Sequence, residues 1–157
     1  MKLAIAVALS ALITTTASVC ALDTASTAES RFDPALARKL GADQRGMRQY
    51  VLVILKTGPR RMPDGEARKA MFAGHFANIG RLAKAGKLAL AGPFEDSKDG
   101  WRGLFVFAVD GVDEAKKLAE TDPVIVNGEM VAEYHPWYGS AALMQITELH
   151  EQLTPPK

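Results

Sequence analysis

Hydrophobic positions change period along the chain, and each change marks an element. "QYVLVILKT" (49–57) is a run of branched residues stopped by Gly58-Pro59, which predicts a strand. From Gly65 to about Ala85 the spacing shifts to three and four. Met71, Phe72, Phe76, Ile79 and Leu82 share one stripe of a helix opened by Asp64 or Gly65 and capped by Gly86. "KLALAG" (87–92) is a strand ended by Pro93, "DSKDG" a turn, and "RGLFVFAVD" (102–110) the returning strand. "VDEAKKLAET" (112–121) predicts a short helix halted at Asp122-Pro123, because the residue before proline avoids helical geometry. "EMVAEYHPWY" (129–138) is the last strand. Ser140 then caps a terminal helix carrying Leu143, Ile146, Leu149 and Leu153. Upstream, "FDPALARKLGA" predicts a short helix capped by Asp33, with Pro34 at its first position and Gly41 at its end.

The order is βαββαβ with both helices on one face of an antiparallel sheet, a ferredoxin-like α+β sandwich. Val51–Leu55 and Leu104–Val109 are continuous apolar runs where a half-wet sheet would alternate. Two helices cover only one face. The other is expected to meet the same face of a second copy, giving a homodimer through the sheet.

The N-terminus is expected to be removed. Lys2, the apolar run Leu3–Ile13 and the small polar residues that follow have the layout of an export signal. The run is shorter than the about 20 residues a membrane span needs, so no membrane span is expected. Cleavage after Ala21 leaves Val19 and Ala21 at the two small-residue positions. The chain then divides into a signal (1–21), a leader with a polar tether and a short helix (22–48), the domain (49–138), and a C-terminal helix and tail (139–157). A periplasmic or secreted protein is expected. The rival reading makes Cys20 a lipidated N-terminus, which the bulky Val19 before it fits poorly.

Cys20 is the single cysteine, so the mature chain has no disulfide, thiol nucleophile or thiolate metal site. Nineteen basic residues against eighteen acidic ones, with no basic stripe, give no expectation of nucleic acid or of a charged membrane surface as partner. The histidines, at 75, 135 and 150, lack a metal-ligand spacing such as HExxH, so no metal is expected. With no GxGxxG, phosphate loop or GxSxG in the sequence, no cofactor and no serine-elbow chemistry are expected.

Candidate chemistry centres on His75, a histidine on the apolar stripe of the long helix. Such a residue is either a core histidine bonded to a carbonyl or the working group of a site. With the first strand running upward, the topology carries both Gly92-Pro93 and Asp122 to the top of the domain. His75 lies about 15 Å below the start of a helix that itself begins at the top. The groups can meet, though connectivity does not force it. His135 shares a strand face with Glu133 and Trp137 and reads as a lining residue. His150, on the terminal helix, reads as solvated.

Four segments together resemble the YciI-like (YCII-related) proteins over about Gln49 to Tyr138. They are His75 on the first helix, Ala91-Gly92-Pro93 in "KLALAGPF", Asp122-Pro123 with Gly128 in "AETDPVIVNG", and Pro136-Trp137 in "EYHPW". The resemblance implies a dimeric α/β barrel of ferredoxin-like type with His75 and Asp122 as the catalytic pair. Gly92, Pro93 and Trp137 become the expected ligand-binding residues. Relatives include a dehydrochlorinase acting on a chlorinated ring compound, whereas the signal, leader and terminal helix depart from the compact family pattern. Three functions stay open. One is a cofactor-independent acid–base enzyme (lyase, isomerase or dehydrochlorinase type) on a small organic acid or ring compound. The others are a small-molecule receptor and a dimerisation module. A carboxylate facing His75 inside a cavity is the feature that separates them.

Overall fold

The computed structural model describes residues 31–95 and 99–155; the expected signal, the polar tether and positions 96–98 of the turn lie outside them. The elements all belong to the unit Asp33–Lys157. They are α1 (Pro34–Leu40), β1 (Met47–Thr57), α2 (Glu66–Lys84), β2 (Leu88–Pro93), β3 (Trp101–Phe107), α3 (Val112–Ala119), α4 (Pro123–Val126), β4 (Met130–Ser140) and α5 (Ile146–Leu153).

Local chemistry sets most of the boundaries. Asp33 accepts from the amides of Ala35 and Leu36, Pro34 takes the first position of α1, and Gly41 leaves it at φ 69°. Gly86, at φ 66°, ends α2, with its own amide and that of Lys87 donating to Ala83 and Leu82. β1 and β4 each run two residues beyond expectation, because Met47 and Arg48 pair with Ser140 and Gly139. β3 stops earlier than expected, at Phe107, as the chain turns toward α3.

The antiparallel sheet has the order β2-β3-β1-β4, the ferredoxin-like arrangement the sequence predicts. Val51, Val53, Leu55, Phe105 and Phe107 face the helices and pack with Met71, Leu82, Ala115, Ala119 and Val124. Tyr50, Val106 and Ala108 alternate with them onto the other face.

Two expectations are corrected. Asp122-Pro123 does not merely halt a helix. It opens a new one, α4, with Asp122 as N-cap and Pro123 at the first turn. Ser140 caps a 3-10 helix, Ala141–Gln145, ahead of α5, and this segment lays Leu143 and Met144 on the outer face beside Tyr50 and Val106. One end of that face is therefore covered from within the chain.

Candidate active site

His75 enters the interior because α2 turns one stripe inward: Met71, His75, Asn78 and Leu82, at spacings of four, three and four, are its buried residues. Asp122 arrives from the loop between α3 and α4. Helix α4 lies close against α2 at Gly74, where even a Cβ would meet the Pro123 ring at 3.1 Å. The approach sets Asp122 against the imidazole. Nδ1 of His75 is 2.8 Å from Oδ2 and 3.0 Å from Oδ1 of Asp122, and Oδ1 also accepts from the Val124 amide at 3.1 Å. Asp122 has no exposed surface and His75 is 7% exposed.

A carboxylate can only accept, so Nδ1 carries a proton whether the ring is neutral or charged. Exchange with a ligand is left to Nε2, which has no hydrogen-bond partner among the described residues. Aromatic rings fix the plane. Phe105 stacks at 6.0 Å, Phe72 meets the ring edge-on at 6.1 Å, and Phe76 tilts against it at 5.3 Å. The arrangement can take up and return one proton at a defined atom in an apolar setting.

Sequence reasoning missed two neighbouring groups. Asn78, one turn along from His75, accepts from Arg81 at 2.6 Å. Arg81 also reaches the Thr121 hydroxyl at 3.0 Å, so the loop before Asp122 is strapped to α2. A polar residue on an apolar stripe was the signal available. The second group is Glu129, 1% exposed, which accepts from Arg68 at 2.6 Å and from the Met62 amide at 2.7 Å. The Arg68 guanidinium lies 4.8 Å over Phe72, the ring that meets His75 edge-on. This pair joins the loop after β1, the start of α2 and the start of β4. Nothing local in the sequence announces it.

The Arg68 hydrogen bond holds the Glu129 carboxyl below the usual carboxylate range, against the opposing effect of burial. A carboxyl depressed in the folded state contributes stability above its unfolded value of about 4.3, and that contribution is lost as pH falls through the folded value. Glu129→Gln is therefore expected to lower Tm by about 5–10 °C at pH 7. The difference from the parent should shrink as pH drops below about 4. Thermal scans at both pH values test this, and parallel Tm curves would assign the pair no such role.

The other expected site residues divide. Gly92 and Pro93 are exposed at the end of edge strand β2, next to Ala91, the cross-strand partner of Phe105. Trp137 pairs with Tyr50 on the sheet face away from His75 and lies over Gly139, so the sheet separates it from His75. His135 shares that face and approaches Glu133 at 2.9 Å, while His150 is exposed on α5. Among the described residues no three His, Cys, Asp or Glu side chains group to hold a metal, and no helix is long and apolar enough to cross a membrane.

Two clefts approach the pair through neighbouring rings, and neither is lined by His75 or Asp122. One, of about 360 Å³, runs between α2, β2 and α5 and begins at Phe76. The other is a shallower cleft of about 310 Å³ at the start of α2, lined by Asp64, Gly65, Arg68, Lys69 and Phe72. Each ends on an aromatic ring that touches His75.

The YCII-related domain is matched over residues 49–138. The uncharacterized protein YjpA of Bacillus subtilis (strain 168) is 29% identical over 65 residues, which cover 41% of this chain and 73% of that protein. A solved structure from Burkholderia phenoliruptrix AC1100 is 25% identical, with a TM-score of 0.42 over 56% of this chain and 92% of its own. It is 5-chloro-2-hydroxyhydroquinone dehydrochlorinase (TftG) in complex with 2,5-dihydroxybenzoquinone.

Proposed function

The chain belongs to the YCII-related domain family, and on that premise we propose that it is an exported, cofactor-independent acid–base enzyme of lyase or isomerase type acting on a small organic acid or ring compound. The buried His75–Asp122 pair carries the reading. Asp122 holds the proton on Nδ1 and fixes the ring direction. Nε2 takes a proton from a carbon beside a carbonyl or ring oxygen and returns it to the product or the leaving group. Phe105, in the core, and Phe72 shield the ring from water, and Phe72 and Phe76 offer apolar walls to a substrate. Mass spectrometry of ligands retained by the purified protein, followed by a turnover screen of small acids and halogenated aromatics, tests the assignment. No conversion of any class, with a ligand retained, would leave a receptor. That second reading is favoured by the slight exposure of His75 and by a cleft whose walls do not include it.

The same proposal includes a homodimer through the outer sheet face. Leu143 and Met144 cover only the Tyr50 end, while Leu52 and Leu104 stay half-buried and Val131 is exposed. Val53 and Phe105 point to the helices, whereas Leu52 and Leu104 lie on this face and are where a charge tests it. Recovered from the periplasm of a Gram-negative host, the protein is expected to begin at Leu22 and to scatter light as a dimer at micromolar concentration. Leu52→Asp should scatter as a monomer with little change in Tm. An intact Met1 counts against export, and a monomeric parent against the dimer.

A further inference from the structure

Helix α2 contains two glycines that a helix interior disfavours, each by about 1 kcal/mol relative to alanine. Gly74 has a packing reason, the Pro123 ring at 3.1 Å from where its Cβ would stand. Gly80 has none: a Cβ there meets nothing within 4 Å. The room it leaves opens into the cleft between α2, β2 and α5. The floor and walls of that cleft are Ile79, Gly80, Ala83, Leu88–Ala91 and Ile146, with Phe76 at one end and Lys84 at the other.

Three features say what would lie in this space. The volume, about 360 Å³, falls in the range of small-molecule sites. Phe76 and Lys84 are separated by about 12 Å along the helix, so the cleft is elongated. Its interior is apolar, while the rim carries Lys84, His150 and Glu151. Lys39, Lys56, Lys69 and Lys87 are each paired with a glutamate; Lys84, Lys116 and Lys117 have no acidic partner among the described residues, and of these three Lys84 lines the cleft. One wall belongs to α5, which lies beyond the matched domain of residues 49–138.

We propose that this cleft receives an elongated apolar molecule with one anionic end, a long-chain or aryl-alkyl carboxylate. Its carboxylate pairs with Lys84 and its far end lies against Phe76, beside His75. As a statement about substrate, this rests on the His75–Asp122 reading. As a statement about binding, it stands apart from it. Helix α5 then selects for length, because it closes the side of the cleft that the domain alone leaves open.

Octanoate is the probe, with the methyl resonances of Ile79 and Ile146 in the full mature chain as the readout. Both are expected to shift saturably with octanoate. Octanol should bind about three- to fivefold more weakly, and Lys84→Gln should remove that preference. Gly80→Leu should abolish the shifts without lowering Tm, since leucine is the better helix former and fills open space. Ala83→Leu, on the same floor, serves if Gly80→Leu folds poorly. No shift with octanoate, unchanged binding by either filled-cleft variant, or equal affinity for the alcohol each overturns the proposal. The readout is binding, so a protein that converts nothing can still pass. One that converts small ring compounds yet shows no octanoate shift fails.

Discussion

His75→Gln is expected to lower turnover by about a thousandfold while leaving the fold in place. Glutamine keeps an N–H that can reach the Asp122 carboxylate but has no nitrogen able to take up and release a proton near neutral pH. His75→Ala is the harsher change. It removes the ring that touches Phe72, Phe76 and Phe105, and it leaves a carboxylate with no exposed surface bonded only to the Val124 amide. A buried acceptor that loses its partner costs about 1–3 kcal/mol, so His75→Ala should fall in Tm by several degrees as well as in rate. The comparison of the two separates the readings. A core histidine predicts that both variants lose stability and neither loses turnover of whatever substrate the screen identifies. A working histidine predicts that glutamine loses the rate with most of the stability retained. Turnover in His75→Gln within threefold of the parent would end the case for catalysis at this residue.

What made this pair hard to assign from sequence is visible at Asp122. The dipeptide Asp-Pro occurs in the chain at 33–34 and again at 122–123. The first reads as a helix start because nothing helical precedes it. The second follows a helix, so the proline's effect on the residue before it dominates and the dipeptide reads as a stop. It is both an end and a start, since the proline that ends one helix is preset for the first turn of the next. The carboxylate capping that turn is the one that meets His75. Periodicity carried the βαββαβ order, and cap chemistry the αL glycines that end α1 and α2, but neither announced the 3-10 helix after Ser140. It could not say which side of β1 and β3 faces the helices, because a strand apolar on both faces carries no alternation to orient it. Hence Val53 and Phe105 were indistinguishable in sequence from Leu52 and Leu104. The Glu129–Arg68 pair spans 61 residues and was illegible for a different reason: partner choice at that separation is set by the packing of the whole domain.

Asp122→Asn is expected to cost more in rate than its small change in shape suggests, about a thousand- to ten-thousandfold. The asparagine carbonyl can still accept from the Val124 amide, so α4 should keep its cap. The amide NH2 then faces Nδ1 of His75, where the parent has the second carboxylate oxygen 2.8 Å away. A donor at that nearer position favours Nδ1 as acceptor over Nδ1–H donating to the carbonyl oxygen 3.0 Å away, which moves the ring proton to Nε2 and occupies the atom that must take the substrate's proton. Fold and apolar walls survive, but the base does not. Because Asp122 is wholly buried behind His75, the loss should appear in kcat with KM little changed. The nitrogen-15 chemical shifts of the His75 ring should report the exchanged tautomer directly. Asp122→Ala removes the cap as well, so it should add a stability loss of about 0.5–2 kcal/mol that the asparagine variant does not show. If the asparagine variant keeps its rate, or loses it with the ring proton still on Nδ1, then Asp122 acts only as the cap of α4 and the pair is structural.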